Sequence, residues 1–312
     1  MSASTMTTAT TADDNRWSRP FALGMANGDI PSDPTGFSVG LAKSWRARGL
    51  ACVAVGFARP AAEVGVELMR EVRAMLSDEG IHVSEFAGVN ANLVHPDAAV
   101  REQAVERVRA AVGPASALGA ACINSGPGSC SESWRESFYR PDAGNFTPEA
   151  EDRAVDTLTR IARVIEDTDL VYAVECHQLT TMRSATIIRR VLDRVDHPRI
   201  RANFDPINLL DSAYVAFTNA ERIPEFVDTV GPRYAHTCHV KDVIVTDEMP
   251  FESHEAPPGQ GLVRIETIFA AAQRLPGDQP VDLIVEHLDP KNAEASVELV
   301  RQRAVEAGIT LV

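Results

Sequence analysis

Four side chains that could bind a metal fall at or near the ends of four successive strand-like runs in the second half of the sequence. They are Glu175, Asp205, His239 and Glu286. In a parallel β/α barrel, the carboxyl ends of all strands meet at one mouth, where the active site lies. Three carboxylates and one imidazole gathered there would be suitable ligands for one divalent metal ion.

The four groups are more informative together than separately. Each carboxylate alone could cap a helix or pair with an arginine, but a cluster of buried carboxylates needs a cation. Successive strand residues point to opposite faces, and one choice of face in each run directs all four candidate ligands inward. The same choice directs His236 and His287 toward the surrounding helices. The sequence therefore predicts a metal site inside a barrel.

Eight strand-like runs position these groups, and helical patterns fill the intervals between them. The runs span residues 21–29, 50–57, 81–90, 120–126, 170–177, 199–208, 233–242 and 281–288. Regular alternation of strand and helix predicts parallel strands with crossover helices. Eight repeats favour closure into a (β/α)8 TIM barrel. The alternative, an open doubly wound sheet, would carry a Gly-rich phosphate-binding turn after the first strand, and FALGMANGD lacks one.

We expect one barrel domain over residues 18–312, preceded by a disordered N-terminal tail over residues 1–17. The tail begins MSASTMTTATTADDN, which is small and polar and lacks the apolar core of a secretory signal. Two long connections, 126–147 and 242–263, each follow a strand. We therefore expect them to cover the catalytic face as substrate-covering loops.

Charge and composition exclude several classes of function. The formal net charge of −14 disfavours binding to nucleic acid or to anionic membranes. No stretch approaches the roughly 20 apolar residues of a membrane helix. The five cysteines are odd in number and form no CxxC pair, which predicts reduced thiols in a cytoplasmic protein. Neither a G-x-S-x-G nor a P-loop motif is present.

Runs five to eight resemble the sugar phosphate isomerase/epimerase family, which comprises xylose isomerase-like TIM barrels of the AP endonuclease 2 superfamily. The shared motifs are VECH at 174–177, NFDPIN at 203–208, HVKD at 239–242, GQG at 259–261 and IVEH at 284–287. The resemblance covers roughly residues 170–290 and is only architectural before that. It implies that Glu175, Asp205, His239 and Glu286 are the metal ligands, and that the two glutamates move the substrate proton.

The donor set suits Mn²⁺ first, or Mg²⁺, with Co²⁺ or Zn²⁺ able to occupy the same site. Such a metal would polarise a substrate carbonyl, acidify the adjacent C–H and stabilise an enediolate. Glu175 and Glu286 would carry the proton. Its return to another carbon is isomerisation, its return to the opposite face is epimerisation, and loss of a β leaving group is a lyase or dehydratase reaction.

Three further residues are candidates for binding substrate. Lys241 shares the face of His239, and it would bind either a substrate oxygen or a nearby carboxylate. His177 shares the face of Glu175, and either a substrate contact or a structural hydrogen bond is open to it. By resemblance, Asn208 falls where related ketose 3-epimerases carry a substrate-contacting histidine.

Two departures from the epimerase pattern weaken an assignment as a ketohexose 3-epimerase: Val245 stands in place of an arginine and Thr181 in place of a glutamate. We therefore expect a metal-dependent isomerase or epimerase of a sugar or related polyhydroxy ketone. The alternative is a lyase, dehydratase or decarboxylase of an oxidised sugar or keto-glycoside. An endonuclease IV-like phosphodiesterase would need several more metal-binding histidines and a basic groove, whereas the sequence has only eight histidines and a negative net charge. The intact ligand set argues against a non-catalytic scaffold, and the resemblance also allows a homo-oligomer.

Overall fold

The computed structural model describes residues 17–134, 139–249 and 252–312. Within them lie ten strands, of which eight form one closed parallel barrel and two form an antiparallel hairpin. The strands are β1 (Phe21–Asn27), β2 (Cys52–Gly56), β3 (His82–Ala87), β4 (Cys122–Ser125), β5 (Val171–Glu175), β6 (Ile200–Phe204), β7 (Tyr234–Val240), β8 (Asp242–Val245), β9 (Ser253–Ala256) and β10 (Val281–Leu288).

The barrel closes because β1 pairs in parallel with both β2 and β10. Around the barrel the strand order is β1-β10-β7-β6-β5-β4-β3-β2. An open doubly wound sheet has two free edges and is therefore excluded. The predicted (β/α)8 barrel in a single domain is confirmed, and each of the eight predicted runs contains one barrel strand.

Nine α-helices of the described residues lie between or after these strands. They are α1 (Val39–Ala47), α2 (Val66–Asp78), α3 (Ala98–Leu118), α4 (Pro148–Val164), α5 (Ala185–Val195), α6 (Ala213–Phe217), α7 (Asn219–Val230), α8 (Ile265–Ala272) and α9 (Pro290–Glu306).

The start of α4 illustrates how the sequence fixes a boundary. The Thr147 hydroxyl accepts a hydrogen bond from the Ala150 N–H, and Pro148 occupies the first turn, where no N–H is needed.

The main hydrophobic core lies between the strands and the helices, where Trp45, Tyr172 and Phe269 are fully buried. Inside the barrel, away from its mouth, most of the buried apolar side chains are alanine or cysteine. Ala22, Cys52, Ala54 and Ile284 pack in one interior cluster, and Cys122, Ala173 and Ala235 pack in another. Small apolar side chains thus fill part of the barrel interior, and the polar side chains of the mouth lie beyond them.

The connection over 242–263 is more ordered than a simple covering loop, because it contains the β8–β9 hairpin. The Asp242 carboxylate accepts hydrogen bonds from the N–H groups of Val243, Gly259, Gly261 and Val263 at 2.8–3.1 Å. A Cβ at Gly261 would overlap the Val243 carbonyl oxygen and the Asp242 carboxylate. The HVKD and GQG motifs are therefore one structural unit that anchors the hairpin.

His236 departs from the sequence prediction. The β6–β7 pairing changes register along β7, and the His236 imidazole lies 3.6 Å from the carboxylate of Asp282. Asp282 shares the inward face of β10 with Glu286. The prediction that His236 faces the helices is therefore wrong, since the irregular pairing breaks the simple alternation on which it depended. The side chain of His287 lies outside the described part of the structure.

The predicted disordered tail falls on residues 1–16, which lie outside the described residues, and on Trp17, which packs partly buried against the core. Its boundary stays a prediction. Residues 135–138 of the connection 126–147 and residues 250–251 of the hairpin turn also lie outside the described residues. Among the described helices, none has the length and apolarity to cross a membrane.

Candidate metal centre

The structure brings Glu175, Asp205, His239 and Glu286 together at the mouth of the barrel. One potential ligand atom from each residue lies within 4.8 Å of those of the other three, and all four side chains are buried. Glu175 is the last residue of β5, and Asp205 directly follows β6. Four neighbouring strands thus bring one candidate ligand each to the same point, as the alternation and strand ends indicated.

The spacing within the cluster fits a hydrated divalent ion. His239 Nδ1 lies 3.0 Å from Glu286 Oε2, 3.7 Å from Asp205 Oδ2 and 4.0 Å from Glu175 Oε2. Ligand atoms about 2.1 Å from an octahedral ion are about 3.0 Å apart when adjacent and about 4.2 Å apart when opposite. The three observed distances lie in that range, so the side chains need little movement to share one ion.

Two buried polar atoms of the cluster make no hydrogen bond with the described residues. Asp205 Oδ2 and His239 Nδ1 are buried, and neither makes a well-directed hydrogen bond, although oppositely charged atoms are close. The other oxygen of Asp205 accepts the backbone N–H groups of Ile207 and Asn208. Buried polar atoms are nearly always satisfied, and a cation that contacts both atoms would satisfy them.

A fourth acidic side chain, Glu85 of β3, contacts the cluster from the opposite side of the imidazole. Its Oε1 lies 3.1 Å from His239 Nε2, and the side chain is only 1% exposed. The Asn203 amide donates to the same oxygen at 3.0 Å and also lies 2.8 Å from His239 Nε2. A carboxylate on the second nitrogen fixes the orientation of a metal-binding imidazole and raises its basicity.

Sequence reasoning missed Glu85 because it considered only polar residues at strand ends. The signal was an acidic residue inside the apolar run IHVSEFAGVN. A buried carboxylate in the middle of a barrel strand must be paired, and that rule alone would have marked Glu85 as part of a polar site.

The carboxylate of Glu175 is held by amides on both of its oxygens. Asn208 Nδ2 donates to Oε1 at 3.1 Å, and Asn124 Nδ2 donates to Oε2 at 3.1 Å. Asn124 also donates to Glu85 Oε2 at 2.8 Å. The amides leave Glu175 little rotational freedom, and they link it to the carboxylate that orients His239.

Lys241 lies under the cluster and is fully buried. Its Nζ is 2.8 Å from Asp205 Oδ2, 2.7 Å from Glu286 Oε1 and 2.8 Å from Glu255 Oε1. The three carboxylates among the candidate ligands carry three negative charges, of which one ammonium balances one. With a neutral imidazole, these four side chains and Lys241 carry a formal charge of −2, which one divalent cation would balance.

These charges shift the pKa values of the carboxyl groups in different directions. Burial opposes ionisation of Asp205, but Lys241 and His239 hold its pKa well below its ordinary value. Burial likewise opposes ionisation of Glu286, and His239 and Lys241 lower its pKa overall. Burial raises the pKa of Glu175 to about 7 against the attraction of His239, with the Glu286 and Asp205 charges adding to the rise.

A cleft of about 660 Å³ opens onto the cluster. Glu175, His239 and Glu286 line it, together with Glu85 and Asn124. None of the three predicted substrate-binding residues is among the described residues that line this cleft. Asn208 holds Glu175 and Lys241 holds carboxylates, as described above, and the His177 ring stacks on Tyr139 with centroids 4.7 Å apart. Their roles toward a substrate stay predictions.

Comparison with known proteins identifies the type of barrel. A family model described as "Xylose isomerase-like TIM barrel" matches residues 42–303. No curated protein matches the sequence significantly.

Solved structures share the fold at low sequence identity. A xylose isomerase-like TIM barrel protein from Mycobacterium smegmatis in complex with magnesium has a TM-score of 0.64 and 18% identity, covering 93% of this chain and 98% of its own. D-psicose 3-epimerase from Clostridium cellulolyticum H10 with D-tagatose has a TM-score of 0.65 and 14% identity, covering 92% and 98%. The probable 3-DHS dehydratase of petrobactin synthesis from Bacillus anthracis has a TM-score of 0.65 and 13% identity, covering 92% and 99%.

Proposed function

The chain belongs to the family of xylose isomerase-like TIM barrels, and from that premise we propose that it is a divalent-metal-dependent isomerase or epimerase of a sugar or related polyhydroxy ketone. The observation that carries the proposal is the buried group of Glu175, Asp205, His239 and Glu286 at the mouth of the barrel. A sugar epimerase and a magnesium complex among the structural neighbours support it.

We propose that these four residues bind one ion, with Mn²⁺ expected first and Mg²⁺, Co²⁺ or Zn²⁺ as further occupants. When bound, the ion would polarise a substrate carbonyl and acidify the adjacent C–H. Four protein ligands leave open positions on an octahedral ion, and the cleft gives a small polyhydroxy compound access to them.

Glu175 and Glu286 are the proposed proton carriers. Both line the cleft, and their strands are separated in the barrel by β6 and β7. The two carboxylates therefore approach a bound substrate from different directions, as proton removal from one face and return to another face or carbon requires. Asn124 and Asn208 would keep the Glu175 carboxylate aimed at the cleft through their hydrogen bonds.

The second candidate function is a lyase or dehydratase of an oxidised sugar or keto-glycoside. The same proton removal would be followed by loss of a β leaving group, with Glu175 or Glu286 returning the proton to that group. Two points favour it: a probable dehydratase is a structural neighbour, and Thr181 stands where the epimerase pattern has a further glutamate.

Solvent deuterium exchange tests the proposal. The Mn²⁺-loaded protein is incubated in D₂O with a panel of ketoses and 3-keto-glycosides, and the recovered compounds are analysed by mass spectrometry. We expect one deuterium to enter the substrate or its isomer, and we expect Glu175→Gln and Glu286→Gln to abolish exchange while retaining the fold. Glu67→Gln, at an exposed position of α2, is the matched control.

The outcomes separate the candidate functions. A shortened or unsaturated product would favour the lyase. Full exchange activity in Glu286→Gln would reject its role in proton transfer, and failure of the protein to bind any divalent metal would reject the proposal as a whole.

A further inference from the structure

A second group of potential metal ligands lies near the amino ends of the barrel strands, opposite the mouth. Cys52 Sγ, one ring nitrogen of His82 and one carboxylate oxygen of Asp282 all lie within 4.8 Å of one another. Cys52 and Asp282 are buried, whereas the His82 side chain is 49% exposed. None of these residues belongs to the site at the mouth, so the group requires an explanation of its own.

Strand register places the three residues in one layer of the barrel. In the pairing of β1 with its neighbours, Ala22 is opposite Asp282 and Gly24 is opposite Cys52. Cys52 is in turn opposite His82 on β3. β1 separates β2 from β10, yet its small residues leave the space between them open. A Cβ at Gly24 would overlap Cys52 Sγ, so glycine is required there for the thiol to occupy its position.

Asp282 has one satisfied and one unsatisfied oxygen. Oδ1 lies 2.9 Å from His82 Nε2, whereas Oδ2 makes no hydrogen bond to any described residue. His236 Nε2 lies 3.6 Å from Oδ2, which is just beyond hydrogen-bond distance. The side chain is only 2% exposed. A buried carboxylate oxygen without a partner is costly, and a cation beside it would remove the cost.

We propose that Cys52, His82 and Asp282 form a second metal site, selective for zinc and structural in role, with the neighbouring His236 as its fourth ligand. A thiolate, two imidazoles and a carboxylate are the ligand types that Zn²⁺ takes in tetrahedral sites. The soft sulfur ligand distinguishes this site from the oxygen-rich site at the mouth, which suits harder ions. Four protein ligands leave no open position, so the site would join β2, β3, β7 and β10 rather than bind a substrate.

Three of the four ligands are already close together. Ligand atoms around a tetrahedral zinc ion are roughly 3.5 Å apart, given bond lengths of about 2.0–2.3 Å, and those of Cys52, His82 and Asp282 are at most 4.8 Å apart. His236 Nε2 lies 3.6 Å from Asp282 Oδ2 and would turn toward the ion. A cavity of about 380 Å³ is lined by His236 and the neighbouring Ala235. The Cys52 thiol would have to release its proton to solvent when it binds the ion.

Cobalt substitution tests the proposal without any measurement of activity. The protein is stripped with a chelator and titrated with Co²⁺, and zinc is counted separately after reconstitution. Only a thiolate ligand gives a near-ultraviolet sulfur-to-cobalt charge-transfer band, and the site at the mouth contains no sulfur. We expect this band in the unaltered protein. In Cys52→Ala, we expect the band to disappear and the bound zinc to fall by one equivalent.

Three further variants make the result specific. Cys238→Ala removes a buried thiol elsewhere on β7 and should keep the band. Asp205→Asn weakens the site at the mouth and should also keep it, which separates this proposal from the proposed function. His82→Gln changes a half-exposed side chain, so it tests the site even where Cys52→Ala fails to fold, and it should lose one zinc equivalent. Absence of the band in the unaltered protein, or its persistence in Cys52→Ala, overturns the proposal.

Discussion

His239 and Glu85 form a buried pair across the barrel, with Nε2 of the imidazole 3.1 Å from the glutamate carboxylate. The other ring nitrogen, Nδ1, faces Glu175, Asp205 and Glu286. One histidine thus contacts a carboxylate on one side and the candidate metal position on the other. The Glu85 contact favours a proton on Nε2, which leaves the Nδ1 lone pair available to a metal.

Replacement of Glu85 tests this relationship. We expect Glu85→Gln to weaken Mn²⁺ binding about 10-fold and Glu85→Ala up to about 100-fold, because a ligand histidine without its carboxylate is less basic and less firmly oriented. Isothermal titration calorimetry measures the change in Kd. Glu67→Gln on the surface of α2 is the control, and a Kd for Glu85→Ala equal to that of the control would refute the orienting role.

Lys241→Met removes the ammonium that contacts Asp205 and Glu286. We expect the free energy of unfolding without metal to fall by about 3–5 kcal/mol, because the buried carboxylates lose their cation. Mn²⁺ should stabilise this variant more than the unaltered protein, since the cluster then carries one more negative charge. Urea unfolding with and without Mn²⁺ measures both effects.

The control for that variant is Lys43→Met on the exposed side of α1, which should change stability by less than about 0.5 kcal/mol. If Lys241→Met were as stable as Lys43→Met in the absence of metal, the three short contacts of Lys241 would have no energetic significance.

Asp205→Asn should remove most of the stabilisation that Mn²⁺ provides. A ligand at a hundredfold excess over its Kd stabilises the folded state by about 2.7 kcal/mol, and the variant loses a charged ligand from the centre of the cluster. Thermal unfolding over a series of Mn²⁺ concentrations measures the difference. The exposed Asp211→Asn should respond to Mn²⁺ like the unaltered protein, and equal responses from both variants would exclude Asp205 as a ligand.

Gly261→Ala and Gly113→Ala should have opposite effects on stability. A Cβ at Gly261 overlaps the Val243 carbonyl oxygen, and the forced shift should cost about 1–3 kcal/mol. A Cβ at Gly113 in α3 lies 3.7 Å from the nearest side chain, Val66, so the better helix former should add about 0.5–1 kcal/mol.

Urea unfolding measures both changes, and amide hydrogen exchange over 257–263 should accelerate only in Gly261→Ala. Equal exchange rates in the two variants would show that the hairpin anchor does not depend on close approach at Gly261.

The barrel and the four candidate ligands could be predicted from the sequence because both follow from local patterns. Apolar runs of strand length alternate with helical periodicity, and Glu175 and Glu286 stand at or near the ends of their runs. Alternation along each strand then fixes which residues face inward. That was enough to place Glu175 and Glu286 at one site, although they are 111 residues apart in sequence.

The parts that the sequence did not reveal depend on closure of the barrel or on irregular pairing. Glu85 meets His239 across 154 residues of chain, and no local pattern specifies that contact. His236 approaches Asp282 because the β6–β7 pairing changes register, which simple alternation cannot anticipate. The β8–β9 hairpin depends on the Asp242 hydrogen bonds to Gly259 and Gly261, and these form only once the chain has turned back.

The hairpin also carries Glu255, whose carboxylate lies 2.8 Å from Lys241 Nζ. One ammonium is therefore shared between an outer segment and two interior carboxylates, Asp205 and Glu286. An outward displacement of the hairpin would withdraw one of the three negative partners and increase the attraction of the lysine for the other two. A movement of the hairpin would for this reason also change the affinity of the interior for a positive ion.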